Sequence, residues 1–412
     1  MTAFIVIVTT ALILLLIGRD ARWLRRWLSN RLGHWQGDAG CGQDEARRPQ
    51  AISARADAPS QVAMSCPQVS VIVPARNEAG SIARCLDGLV CQTLQPREII
   101  VVDDESTDAT PEILAGYAAR YPDLIRITSA PPLPPGWVGK CNACQHGASL
   151  AGGEWLLFVD ADTTARPGLT EAMLRDAQQR RLDALSVFPF NELGTLAERL
   201  ILPVFFQFAW TVFPAGKTQD PEAPWRQAIA NGQCFMFRAE IYRAVGGHAC
   251  VKDKVLEDVE FAQVLRRAGY RLGLAWGGEH IRVRMYHSAG EVAQGLAKHA
   301  WAGRKAGGWR SYWGVARLGL TTLAPPVMAL AALAGLVTRP GAAEAISAAL
   351  AVAGYGASWL FWRDALTRLY ALPGRLAWAM PAGLLAYLMI ALRGTAAMMS
   401  RRGVQWKGRS YS

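Results

Sequence analysis

Apolar residues follow two different rhythms along this chain. Between residues 69 and 159 short β-branched runs alternate with stretches of helical spacing. Val69–Val73 is the first run. Ser81–Gln92 then places Ile82, Leu86, Leu89 and Val90 on one face of a helix. Glu98–Val102 predicts a second strand and Thr110–Tyr121 a helix with Pro111 in its first turn. Leu124–Thr128 predicts a third strand, Asn142–Leu150 a helix and Trp155–Val159 a fourth strand. Strands alternating with helices predict a parallel sheet covered on both faces. Ligands of such sheets bind beyond the carboxyl ends of the strands. The polar clusters Arg76-Asn77-Glu78, Asp103-Asp104 and Asp160-Ala161-Asp162 fall there.

Elsewhere the apolar runs lengthen. Thr2–Gly18 carries no charge and is followed by Arg19, Arg22, Arg25, Arg26 and Arg31, interleaved with Trp23 and Trp27. Arginines and interfacial tryptophans after an apolar span predict a retained membrane anchor with its basic side in the cytoplasm. A cleaved signal peptide has the reverse order. Val315–Val337, Ala342–Trp362 and Leu376–Leu392 approach the roughly 20 residues that span a bilayer. Four spans would put the tail, with Arg401, Arg402, Lys407 and Arg409, outside, against the positive-inside rule. Either one segment is re-entrant or interfacial, or the tail is an exception, and Pro325-Pro326 makes the first of the three suspect. Leu200–Pro214 is apolar and aromatic but short, a buried core helix or a segment lying on the bilayer. Gly33–Pro67 lacks periodicity and reads as a flexible linker. The expected organisation is an anchor and basic flank over 1–32, a linker over 33–67, a catalytic domain over 68–303 and a membrane domain with a basic tail over 304–412.

Composition agrees with this division. Of 412 residues, 51% are hydrophobic, and the net charge is +11. The basic residues sit beside apolar spans, so they point to an anionic bilayer surface and not to nucleic acid. The spacing of the eight cysteines shows no disulfide framework, so reduced thiols are expected of a cytoplasmic domain, and Cys141 and Cys144, at C-x-x-C spacing without a second pair, read as structural.

The chemistry concentrates where the strand Trp155–Val159 runs into Asp160 and Asp162. Two carboxylates at the tip of an apolar strand repel one another and lose solvation unless a cation joins them. Mg²⁺ carrying substrate phosphates is suited to that role. No G-x-G-x-x-G follows the first strand and no Walker lysine motif occurs, which argues against a dinucleotide dehydrogenase or a P-loop enzyme. Lys140 lies where a helix begins, a position that favours anions.

Five motifs in order, Val-Ile-Val-Pro74-Ala-Arg-Asn-Glu78, Val-Val-Asp103-Asp104-Glu-Ser-Thr-Asp108, Gly139-Lys140, Phe-Val-Asp160-Ala-Asp162 and Leu-Glu257-Asp258, make the chain resemble a family 2 glycosyltransferase of the GT-A fold over about Val69 to Gly303. The flanking apolar segments, the stretch up to Trp137-Val-Gly-Lys140 and the ending Gln405-Trp-Lys-Gly-Arg409 resemble the subgroup of ceramide glucosyltransferases and of bacterial glycosyltransferases associated with carotenoids and hopanoids.

The resemblance implies an α/β fold, a Rossmann-like mixed sheet with helices on both faces, flanked by N- and C-terminal transmembrane helices. It implies a nucleotide sugar, a UDP-sugar in the first instance, with Pro74, Arg76, Glu78, Asp103 and Asp104 around the base and ribose. Lys140 would bind the diphosphate, Asp162 would ligate Mg²⁺ or Mn²⁺, and Asp160 would touch the ribose or the metal's water shell. Asp258, with Glu257 beside it, would be the general base of an inverting displacement; read alone, the pair is a helix N-cap. Gly232 and Gln233 would line the acceptor or sugar pocket. Where processive members carry Gln-x-x-Arg-Trp, this chain offers only Lys298, His299 and Trp301. The implied acceptor is a membrane lipid, and the implied location is the plasma membrane, multi-pass, with a cytoplasmic catalytic domain. A processive polysaccharide synthase and a catalytically silent sugar-nucleotide-binding scaffold are the alternatives.

Overall fold

The structure, a computed structural model, describes residues 2–32, 67–399, 404–406 and 409–411. The expected linker, apart from Pro67, lies outside the described residues. The chain opens with the 28-residue helix α1 (Thr2–Ser29). Then come β1 (Val69–Ala75), α2 (Ile82–Val90), β2 (Glu98–Asp103), α3 (Thr110–Arg120), β3 (Ile125–Ser129), α4 (Gly139–Leu150), β4 (Trp155–Val159) and β5 (Thr163–Ala165). The domain continues through α5 (Leu169–Gln179), β6 (Ala184–Phe188), β7 (Phe190–Asn191), α6 (Leu196–Val212), α7 (Ala215–Thr218), β8 (Cys234–Arg238), α8 (Ala239–Ala244), α9 (Glu257–Arg267), β9 (Leu272–Trp276), β10 (Ile281–Val283) and α10 (Ala289–Gly307). Last are α11 (Trp309–Leu318), α12 (Ala324–Thr338), α13 (Ala342–Tyr370), α14 (Met380–Met399) and a hairpin of β11 (Val404–Trp406) and β12 (Arg409–Tyr411).

A seven-stranded sheet runs β3-β2-β1-β4-β8-β6-β9. The alternation of strands and helices predicts parallel pairing, and β3, β2, β1 and β4 obey it. β8 departs: it is antiparallel to β4 and β6, because the chain re-enters the sheet from the carboxyl edge, with Cys234 opposite Val159. The sheet is therefore mixed. Alternate residues of one strand serve opposite faces. Val71 and Val73 join one core with Leu86 and Leu89, while Ile72 joins another with Cys141 and Cys144. Strand order reverses at β1, so a crevice opens beyond the ends of β1 and β4.

Several apolar runs take roles that only packing assigns. Trp27 is 4% exposed and packs edge-on against Phe188, with Trp23 stacked beside it and against Trp210. Trp27 is a core residue and Trp23 a half-buried one packed against that core, where an interfacial belt was expected, whereas Arg22, Arg25 and Arg26 stay exposed. Asn30 and Leu32 extend the contact by backbone hydrogen bonds with Trp276 at the edge of β9. α6 is the buried helix of the two readings: Leu202, Val204 and Phe206 lie in the core, and Thr195 and Glu198 form a capping box at its start.

Among the described residues, three helices are long and apolar enough to cross a membrane by length and composition: Trp309–Thr338, Ala342–Tyr370 and Gly374–Ala397. Pro325-Pro326 does not break the first. A π turn, Gly319–Leu323, precedes the prolines, and Ser358 Oγ donates to the Thr321 carbonyl that Pro325 cannot reach. Trp362 Nε1 donates to Thr322 Oγ1 one turn along the same contact.

α1 and α11 are tied by a buried ion pair between Arg317, whose side chain is 4% exposed, and Asp20. Removing one partner strands the other charge. Arg317→Leu is expected to destabilise the folded protein by about 3 kcal/mol or more, and the double variant with Asp20→Leu to recover most of that loss. Thermal unfolding in detergent compares the two; a double variant no more stable than the single one rules out this account.

Candidate active site

Every polar cluster at the carboxyl edge of the sheet is built by a strand end. Pro74 and Ala75 close β1, and the turn that follows is stitched to the segment after β2. Asn77 (φ +52°) donates its N–H to Ser106 Oγ and accepts from Thr107 N, while Asp108 Oδ2 accepts from Ala79 N. Arg76 donates to the Asp104 carbonyl. Glu78 heads the turn that leads into α2: Ser81 and Ile82 donate N–H to its carbonyl and Ser81 Oγ donates to its carboxylate. Asp103 ends β2, and its Oδ1 is buried with no hydrogen-bond partner among the described residues.

A tight turn after β4 carries the acidic pair. Thr163 N and Oγ1 both donate to the Asp160 carbonyl, which holds Asp162 at the tip. Gln233 accepts the Asp160 N–H, so this turn is fixed to the segment entering β8. From α4, Lys140 Nζ reaches Asp160 at 2.8 Å and Glu257 at 2.9 Å. The lysine is thus the counter-ion of two carboxylates, a pairing that sequence spacing does not disclose. Its ammonium is desolvated, but the two anions outweigh that and hold its pKa well above the ordinary lysine value.

Glu257 and Asp258 occupy the first turn of α9, whose N-cap is Leu256. They are not capping residues. Asp258 Oδ2 accepts from Gly232 N at 2.9 Å and Oδ1 from Val259 N at 2.8 Å. Burial, and then the negative charge of Glu257, push Asp258 up to about 6. Burial also raises Asp160. Glu257 is desolvated as well, yet the charge and hydrogen bond of Lys140 leave it below the usual carboxylate range. Gly232 fits here because it has no side chain: a Cβ would lie 3.3 Å from both Asp258 Cβ and Lys140 Nζ.

One cavity of about 350 Å³ gathers these groups. Pro74, Arg76, Glu78, Asp104, Lys140, Asp160, Asp162, Gly232, Gln233, Glu257, Asp258, Lys298 and His299 all line it. Asp103 does not. The side chain of Trp301, on α10, lies outside the described residues. The opposite wall is aromatic: Phe205, Phe206, Phe208 and Trp210 of α6, within the stretch Leu200–Pro214 that the sequence singled out, and Tyr286 and Tyr387 of α14, which it did not. No local signal distinguished these residues from ordinary core. His299 stands in this cavity, its ring 6.2 Å from Phe205 and its Nδ1 buried without a hydrogen bond; burial and the neighbouring Lys298 lower its pKa to about 3, so it is neutral.

Cys91, expected to be reduced, is disulfide-bonded, and the other cysteine motif stays structural. Burial pushes the free thiols of Cys141 and Cys144 up, so they carry no thiolate at neutral pH. Gly246, at φ +88°, is the left-handed residue that ends α8. His287 is not in the cavity; its N–H donates to Glu291.

Among the described residues no three His, Cys, Asp or Glu side chains form a metal cage. The oxygen donors of Asp160 and Asp162 at the cavity wall fit a hard cation whose remaining ligands are phosphate oxygens and water.

The family model "Glycosyl transferase family 2" matches residues 70–246. A curated relative, the 4,4'-diaponeurosporenoate glycosyltransferase of Staphylococcus aureus (strain USA300), is 27% identical over 232 residues, 55% of this chain and 55% of the relative. The chain therefore spans about half the length of the curated relatives it matches. A solved mannosyltransferase from Pyrobaculum calidifontis, in complex with GDP-Man and Mn²⁺, is similar across 95% of this chain and 99% of that one, with a TM-score of 0.52 and 22% identity. That likeness identifies the GT-A fold.

Proposed function

We propose, from the family 2 glycosyl transferase model that matches residues 70–246, a membrane-bound inverting glycosyltransferase that moves a hexose from a nucleotide-diphosphate sugar to a lipid acceptor. The observation that carries this reading is the two-sided cavity. One wall is acidic and basic, the other aromatic, and both belong to a single space. A donor with a diphosphate suits the first wall, and a hydroxyl or carboxyl group on an apolar body suits the second.

In this reading the strand ends bind and orient the donor. Asp103 stands outside the cavity lining, so this reading gives the base and ribose to Pro74, Arg76, Glu78 and Asp104, which line it. Asp160 faces Lys140 through both carboxylate oxygens, at 2.8 and 3.0 Å, which favours Asp162 as the direct cation ligand. A bound divalent cation neutralises charge that builds on the departing diphosphate. Asp258 takes the proton from the acceptor nucleophile, its carboxylate aimed by the two backbone N–H groups. With Asp258 as the base and no enzyme nucleophile invoked, the acceptor attacks the anomeric carbon directly and inverts it. Lys140 positions Asp160 and Glu257 and keeps three carboxylates compatible within one space. The exposed arginines Arg22, Arg25 and Arg26 that follow the apolar part of α1 support a catalytic domain on the cytoplasmic side of the plasma membrane.

The test is transfer of label from nucleotide sugars into organic-extractable product, using membranes with and without the protein. A labelled lipid is expected; label found only in free sugar or in a water-soluble polymer excludes the lipid acceptor. Asp162→Asn is expected to weaken divalent-dependent donor binding at least tenfold, about 1.4 kcal/mol. Calorimetry with and without Mn²⁺ measures it, and unchanged binding removes Asp162 from the site.

A further inference from the structure

α14 has the length and apolar content of a membrane span, yet it is laid along the catalytic domain. At Gly383 the helix touches α6 so closely that a Cβ would collide with the Leu200 carbonyl. At Gly394 a Cβ would fall 2.7 Å from Ala297 Cα of α10. Between these points Tyr387, 3% exposed, lines the cavity with Asp162 and Asp258 and packs near Phe208 and Phe205. The two glycine contacts are about 16 Å apart along the axis of a helix about 30 Å long. A helix crossing a hydrocarbon core of about 30 Å leaves the domain on one side behind. This one stays against α6 and α10 from its first turn to its last third. β11, beyond it, also lies against α10.

The opposite face of α14 is apolar and bare. Leu385, Met389 and Leu392, at i, i+4 and i+7, are 51%, 55% and 71% exposed. This stripe is continuous in character with the exposed apolar residues of the span Trp309–Thr338, such as Leu330 and Val337. Arg401, Arg402, Lys407 and Arg409 follow it in sequence. An apolar stripe followed by cations fits the boundary between the acyl chains and the anionic headgroups of a bilayer.

We propose that α14 is an interfacial helix, with Leu385, Met389 and Leu392 against the acyl chains, and that the C-terminus stays on the catalytic side of the membrane. Only Trp309–Thr338 and Ala342–Tyr370 then cross in the C-terminal third, as a hairpin. Both basic clusters come to one side, as the positive-inside rule requires. The segment that does not cross is thus the third apolar stretch and not the proline-containing first. The proposal holds whatever reaction the cavity supports.

Membrane-impermeant maleimide labelling of sealed vesicles of both orientations, read by mass spectrometry of the labelled peptides, tests it. The exposed native thiol Cys250 reports the catalytic side. Pro340→Cys reports the loop between the two spans, and Ser412→Cys reports the terminus. Ser412→Cys is expected to label with Cys250, at least tenfold above the other orientation, while Pro340→Cys labels in the opposite vesicles. Labelling of Ser412→Cys together with Pro340→Cys, opposite to Cys250, overturns the proposal.

Discussion

Asp258→Asn lowers the transfer rate by about a hundred- to ten-thousand-fold, the range expected when a positioned base is lost, and leaves donor binding nearly intact. The donor contacts assigned to Asp104, Asp162 and the β1 turn do not pass through this side chain. Asparagine keeps the size of the group but cannot take the proton from the acceptor. Because Asp258 is raised to about 6, wild-type transfer falls as pH drops through about 6, while the residual rate of the variant has no such limb. Stability moves the other way. A carboxyl whose folded pKa lies above its unfolded value of 3.8 stabilises the fold most below pH 3.8, and that contribution disappears as pH rises through 6. At pH 7.5 the buried charge is a liability of up to about 3 kcal/mol, so Asp258→Asn is expected to melt higher than wild type at pH 7.5 and equally at pH 4. Steady-state kinetics with calorimetry reads the first effect and thermal scans at two pH values the second. A variant that turns over normally eliminates Asp258 as the base.

Lys140→Met produces the second large effect, through three carboxylates at once. The ammonium bridges Asp160 and Glu257 and moderates the rise of Asp258. Methionine keeps most of the volume and removes the charge. Because the lysine's folded pKa lies above its unfolded value, its contribution to stability is present throughout the neutral range and is lost only in strong alkali. The side chains of the three partners are 31%, 23% and 12% exposed, so solvent moderates the cost to about 1–3 kcal/mol at pH 7.5. That deficit shrinks as pH falls and the carboxyls protonate. Without the cation Asp258 titrates higher, so the acidic limb of the transfer profile moves to higher pH. Donor KM rises as well, because the acidic wall faces the diphosphate uncompensated. An unshifted acidic limb in an active Lys140→Met enzyme rules out the coupling of Lys140 to Asp258.

The sequence by itself determined what depends on neighbours along the chain. Strand and helix periodicity placed β1 through β4 and α2 through α4 within a few residues, because each element in a βαβ unit buries a face that its own spacing displays. It also placed the polar clusters at strand ends, since β-branched runs that stop at carboxylates mark both the strand and its tip. Tertiary structure decided the rest. The reversal of β8, the pairing of Lys140 with Glu257, 117 positions along the chain, and the hold of the Gly232 N–H on Asp258 are long-range contacts that leave no periodic trace. Apolar runs were least legible, because a core helix, a membrane span and an interfacial helix share one composition. Packing alone made α6 a cavity wall, turned Trp23 and Trp27 inward, and set α14 along the catalytic domain, since burial depends on which surface arrives opposite and not on how apolar a segment is.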